Sequence, residues 1–358
     1  MERFSRFFMI IAATYLGVCL VLFPQEGINT GVGALNLCFN SVVPALFPYL
    51  VCSGLLSSLG AAKLFSRYLS PLMRPLFGVP GCGAIALVLG TVSGYPIGAV
   101  CANDLYLSGE CTKTEAERLL AFCNNSGPLF VISVIGRAFL ESPHLGRILY
   151  ISHALSAVLT GIIFRAVGKN TSALPPRLPA ESSPKIKSTF RALGEVMDSS
   201  VFAILKICGF VVFFTVFAAS LPGGAVSPYI HSLLEITGGL KKLATLDIES
   251  PLKLSLISFF VAFSGISVMF QVAAITARSG LSLKMYFGGK LLQGCLSFFI
   301  TKILVSRFPA LVDVFAKNAA STAALPSYSV LISSVCMMFL GLMILFLMLK
   351  AARIGRRR

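Results

Sequence analysis

The chain is short of charge. Only 12% of its 358 residues are Asp, Glu, Lys or Arg, where a soluble domain carries about a quarter. That excludes a two-domain soluble enzyme of this length. Tryptophan is absent, and the three histidines, His144, His153 and His231, are scattered. The ten cysteines include no CxxC pair, and Cys19, Cys52, Cys208, Cys295 and Cys336 sit inside apolar runs. A metal site or disulfide framework therefore has no signal, and the thiols read as small buried hydrophobes. No GxSxG, HExxH or P-loop lysine motif occurs, so no catalytic residues, no cofactor and no self-contained primary pump are expected.

What remains is apolar. Hydrophobic residues make up 56% of the chain, which predicts an all-α polytopic membrane protein with the lipid bilayer as its first partner. The net charge of +16 would raise nucleic-acid binding in a soluble protein. Here the basic residues gather between Arg165 and Arg191 and after Lys350, as cytoplasmic loops do, so no nucleic-acid partner is expected. The ends of the chain are placed in the cytoplasm on the same ground.

Apolar runs predict spans at Phe7 to Phe23, Leu35 to Leu59, Arg147 to Val167, Ser199 to Leu221, Lys290 to Arg307 and Tyr328 to Leu349. Ala61 to Val79 and Tyr229 to Leu246 read as interfacial helices. Two further apolar segments, Cys82 to Cys101 and Leu252 to Ala277, each contain a Ser-Gly step, and Leu119 to Leu140 is interrupted by Asn124-Asn125-Ser126-Gly127-Pro128. Pro175, Pro176, Pro179 and Pro184 mark an extended linker between two halves.

The Ser-Gly steps recur with the same spacing. Ser93-Gly94 precedes Ser108-Gly109 by fifteen residues, and Ser264-Gly265 precedes Ser279-Gly280 by fifteen. Fifteen helical residues cover about 22 Å, short of a roughly 30 Å hydrocarbon core. Placing the basic linker and tail inside makes the Ser93-Gly94 segment run outward, the Asn124 segment re-entrant and the Ser264-Gly265 segment run inward. The expected fold is therefore two inverted-topology repeats with broken or re-entrant helices.

Candidate solute contacts follow from these interruptions. Ser93, Gly94, Tyr95, Pro96 and Gly98 form a stretch where glycine and proline unwind the backbone and leave peptide groups free for a solute. Asn124, Asn125 and Ser126 are too polar for lipid and should face a cavity or protein. Lys206 lies mid-span, where a cation suits an anionic solute. Ser264, Gly265 and Gln271 are the matching candidates on the second broken segment.

At SGYPIGA (Ser93 to Ala99), TxxEAxRLL (Thr112 to Leu120), FCNNSGPLFVI (Phe122 to Ile132) and the run from Asn40 to Pro48, the chain resembles the sporulation integral membrane proteins of the YlbJ type. These carry nucleoside-recognition, or Gate, repeats. The resemblance implies an N-terminal transmembrane helix over 1–30, a first Gate-type repeat over 31–167 and a linker over 168–192. A second repeat over 193–327 and a C-terminal helix with basic tail over 328–358 complete the division. It further implies transport of a small organic anion, dipicolinate, from mother cell to forespore across the outer forespore membrane. A non-transporting scaffold for spore maturation and a nucleoside or other solute transporter remain the alternatives. A homo-oligomer is compatible with either.

Overall fold

The computed structural model describes residues 2–59, 61–167 and 189–307. The proline-rich linker over 168–188, the expected last span at Tyr328 to Leu349 and the basic tail lie outside the described residues. Every secondary element within them is helical, as composition predicts. α1 (Glu2–Leu22) turns by 109° into α2 (Pro24–Leu37). α2 continues through a π-helical turn, Cys38–Val42, into α3 (Val43–Ser58). α4 (Ala61–Phe77) carries Pro71 and Pro75. α5 (Gly83–Ser93) and α6 (Ile97–Leu107) flank Gly94, and α7 (Lys113–Cys123) leads through residues 124–128 into a π-helical segment, Leu129–Phe139. α8 (Pro143–Val167) and α9 (Thr189–Ser220) are long apolar helices. Short α10 (Ser227–Leu234) and α11 (Ile236–Ala244) precede α12 (Ser250–Phe263), α13 (Gly265–Thr276) and α14 (Lys284–Arg307).

Among the described residues, four stretches are long and apolar enough to cross a membrane: Pro143–Ala166, Ala192–Ser220, Ser250–Thr276 and Lys284–Arg307. The bent pair Ile10–Leu22 and Pro24–Asn40 offers a fifth. α9 lies antiparallel to the α2–α3 helix. Gly31 faces Val216, Cys38 donates its thiol to the Cys208 carbonyl, and Gly54 faces Val196.

The interruptions are of two kinds, and one expectation is corrected here. α5 and α6 do not run through in one direction. The Cys82 thiol meets the Glu110 carbonyl at 3.6 Å, and a Cβ on Gly90 would lie 2.8 Å from Gly98 Cα. The two helices therefore fold back as a hairpin whose tip is Gly94-Tyr95-Pro96. Gly90 and Gly98 both press against the Cys123 carbonyl, an approach that only a residue without a side chain permits.

The segment at Asn124, expected to be re-entrant, instead passes through. Gly136 packs on Gly146, Ser126 N–H donates to His153, Phe122 touches Gly161, and Arg118 and Arg165 meet at Gly78. The partners climb α7 and its π-helical continuation while they descend α8. Gly146 to Arg165 is a helical length of roughly 28 Å, about one hydrocarbon core. Local sequence anchors this broken span: Thr112 and Glu115 form a reciprocal capping box at the start of α7, and Arg118 donates to the Gly78 carbonyl at 2.7 Å.

The second half contains the same two kinds. α10 and α11 form a hairpin with Glu235 at its tip, since Gly239 packs on the backbone of Ser232 and Lys242 reaches His231. α12 and α13 continue as one apolar stretch across Ser264. The Ser93-Gly94 and Ser264-Gly265 steps are therefore not equivalent: one is a hairpin tip, the other a break within a crossing. Tyr229 to Leu246, read as interfacial, is the second hairpin.

α14 closes the structure. It runs parallel to α7, with Ser282 N–H on Glu117, Gly289 against Ala121 and Gln293 on Asn125. It runs antiparallel to α12, with Lys290 on Ala262 and Ser297 on Ser258. Because α8 is antiparallel to α7, α8 and α14 run in opposite directions.

Candidate functional site

The two hairpin tips and the two breaks meet. A Cβ on Gly127 would lie 3.0 to 3.1 Å from the Val92 and Ser93 backbone, so the first tip rests on the first break. A Cβ on Gly265 would lie 3.4 to 3.6 Å from the carbonyls of Ser232, Leu233 and Leu234, so the second tip rests on the second. Peptide groups at these four places lack regular helix partners, and in a bilayer they must be satisfied by protein, water or solute.

Between them lies a cavity of about 140 Å³. The first hairpin contributes Ser93, Gly94 and Tyr95, the first broken span Ser126 and Gly127, the second hairpin Glu235 and Thr237, and the second broken span Ser267 and Gln271. Aliphatic side chains from α2, α3 and α9, among them Leu46, Ile207 and Val211, complete the wall. Ser93 Oγ is buried and has no hydrogen-bond partner among the described residues. Glu235 is 4% exposed. Its carboxylate accepts from Thr237 N–H at 2.9 Å and Gly238 N–H at 2.8 Å, capping α11. Among the described residues no cation pairs with it. A carboxylate at a helix N-terminus is favoured by the helix dipole, which lets a charged side chain lie this deep.

Behind the cavity a polar network joins the breaks to α14. Asn125 donates to the Phe122 carbonyl at 2.8 Å and to Thr91 Oγ1 at 3.3 Å, and accepts from Gln293 at 2.8 Å. Lys290, fully buried, donates to Gln293 Oε1 at 2.9 Å and to the Ala262 carbonyl at 3.1 Å, just before the second break. Asn124 donates to Tyr286 OH at 3.3 Å, and the same hydroxyl lies 3.5 Å from Ser264 Oγ. Buried polar groups cost little only when so partnered.

A second cavity, about 500 Å³, lies beyond Gln271 and Ile207, which line both. Lys206 and Arg278 line it with Pro96, Ser199, Phe202 and Phe210, and among the described residues no carboxylate does.

The candidate residues thus divide. Ser93, Gly94, Tyr95, Ser126 and Gln271 line the central cavity; Pro96 and Lys206 line the second. Asn124, Asn125 and Ser264 belong to the network behind, while Gly98 and Gly265 serve close packing. Sequence reasoning missed Glu235, Thr237, Ser267, His153, Tyr286, Lys290 and Gln293. Lys290 and Gln293 did carry a signal: a cation and an amide three apart share one face of an apolar helix.

Short hairpins from both halves, broken crossings and a buried polar junction define an integral, multi-pass membrane protein. The Gate family model, described as nucleoside recognition, matches residues 39–168. The chain is similar to the sporulation integral membrane protein YlbJ of Bacillus subtilis (strain 168), with 29% identity over 327 residues, 81% of this chain and 79% of that protein. The resemblance to sporulation integral membrane proteins of this type is borne out. No solved structure matches.

Proposed function

We propose that the protein carries a small organic anion across its membrane, dipicolinate in a cell that forms spores, and is a transporter and not an enzyme. The observation that carries this reading is the second cavity, where Lys206 and Arg278 face a common space that no carboxylate among the described residues lines. Two cations, with the rings of Phe202 and Phe210 beside them, suit a planar aromatic dianion. Gln271 and Ile207 line both cavities, so movement of these side chains would open a path from that space to the junction of tips and breaks.

The architecture supports alternating access. We read the halves as inverted repeats: a scaffold helix, a hairpin, a broken span and a closing helix follow in the same order. α3 opposes α9, and α8 opposes α14, in direction. Ser126-Gly127 then matches Ser264-Gly265. Such pairs of repeats can rock against each other around a midplane site. The similarity to a sporulation protein favours the outer forespore membrane, with the chain's ends on the cytoplasmic side.

The full chain in liposomes tests this directly. Saturable uptake of labelled pyridine-2,6-dicarboxylate is expected, and the pair K206A and R278A lowers it at least tenfold with the protein still monodisperse. Undiminished flux in both variants would remove the anion path. One observation favours a second reading, a neutral hydroxyl-bearing solute such as a nucleoside: the Glu235 carboxylate in the central cavity accepts hydrogen bonds. Uridine uptake without dicarboxylate uptake would establish it, and no flux of either solute would leave a scaffold.

A further inference from the structure

Glu235 stands in the cavity through which the proposed anion passes. Among the described residues its surroundings hold no counter-charge. Tyr95 faces it from the first hairpin and Cys38 from the π-helical turn after α2; both are neutral acids in their ordinary state. α13 presents Gln271 and Ser267, and α9 presents Ile207 and Val211. On its own hairpin, His231 and Lys242 lie against each other at 3.1 Å. Two backbone N–H groups of α11 donate to it.

A carboxylate and an organic anion cannot share about 140 Å³ of desolvated space while both keep their charge. Like charges at such range disfavour the ionised form of whichever group can take up a proton.

We propose that Glu235 is the proton-carrying group of transport. It takes up one proton from water as the anion arrives, becoming a carboxylic acid, and returns it as the anion leaves on the other side. The new O–H faces the solute and donates to a solute oxygen, while the remaining oxygen keeps one backbone N–H of α11. Placement at a hairpin tip suits this role, because the tip is the part of the junction that must part for solute to leave. The inference rests on the anion reading above and names its coupling ion.

Titration calorimetry on the full chain in lipid nanodiscs, with pyridine-2,6-dicarboxylate in two buffers of different ionisation enthalpy, counts protons taken up on binding. The wild-type protein is expected to take up about one proton per solute, with affinity falling about tenfold per pH unit on the alkaline side. E235Q, which mimics the protonated state, is expected to bind with no proton uptake and a flat pH profile, exceeding wild type at alkaline pH. E235D keeps the proton uptake and covers the case where the glutamine variant does not fold. Binding by wild type without proton uptake overturns the proposal and leaves the anion reading intact. So does equal proton uptake by E235Q, or a folded E235Q that cannot bind. Absence of any dicarboxylate binding to wild type removes the anion reading and this inference with it.

Discussion

The two breaks at the centre of the molecule do the same task with different chemistry. The first spans residues 124–128 and brings its own polar side chains. Asn125 bonds Phe122, Thr91 and Gln293, and Ser126 N–H is taken by His153. The second is reduced to Ser264 in a left-handed conformation, φ 71°, and has little of its own to offer. Its freed carbonyl, on Ala262, is met by Lys290 from α14. The first break supplies its own amides, which reach partners on three other elements as well as the local Phe122 carbonyl, whereas the second is met by a cation brought in from α14. A break with several partners survives the loss of one neighbour. One met mainly by a single neighbour depends on that neighbour staying in place.

This difference is broken most severely at Asn125. N125A removes three buried hydrogen bonds and leaves Gln293 and Thr91 short of partners. Interhelical hydrogen bonds in membranes average about 0.6 kcal/mol each, and an unsatisfied buried group adds about 1 to 3 kcal/mol. The expected loss is about 2 to 4 kcal/mol, with solute flux abolished. S264A removes only the 3.5 Å contact to Tyr286 and should cost less than about 1 kcal/mol. Unfolding midpoints in detergent would compare them, and equal losses would show that the two breaks are held alike.

Much of this junction could be read from composition, because breakers and polar side chains in apolar runs are locally conspicuous. Ser93 to Pro96 and Asn124 to Ser126 were marked on that ground, and both proved to lie at chain interruptions. What composition does not carry is whether an interruption returns or continues. Gly90 and Gly98 allow two helices to close on each other over the Cys123 carbonyl, and that contact comes from another segment. The Asn124 segment continues because α8 lies along its whole length, again a tertiary fact. Glu235 was hidden for a similar reason. With Lys241 and Lys242 nearby, α10 and α11 have the pattern of a surface helix, and only their folding into a hairpin buries the glutamate. Lys290 looked like the edge of a span, yet α14 begins six residues earlier, at Lys284.

Lys290 offers a finer test of the same comparison. K290M deletes the donor to Ala262 and Gln293 but also removes the need to strip an ammonium of water. For buried charges the second effect is comparable to the first. A net loss of about 1 kcal/mol is expected, smaller than for N125A. Since Gln293 still reaches Asn125, the loosening should be confined to the second break. Hydrogen exchange would then quicken at residues 262–266 and stay unchanged at 124–128. Equal quickening at both would mean that the lysine holds the entire junction.

The backbone of the second break itself carries effects no larger than this. Ser264 and Gly265 are successive left-handed residues, φ 71° and 75°. For a residue with a side chain, that conformation costs about 1 kcal/mol, while glycine adopts it freely. S264G removes this cost but loses the hydroxyl near Tyr286 and adds freedom to the unfolded chain, so stability should change by less than about 0.5 kcal/mol. G265A adds the cost where none stood and should destabilise by about 1 kcal/mol. If the second break is held mainly from outside, the two changes combine additively, because neither touches the Lys290 contact. A double variant less stable than the sum of the singles would instead show that the conformation of Ser264 and Gly265 places the Ala262 carbonyl for Lys290, so that this break too is partly held from within.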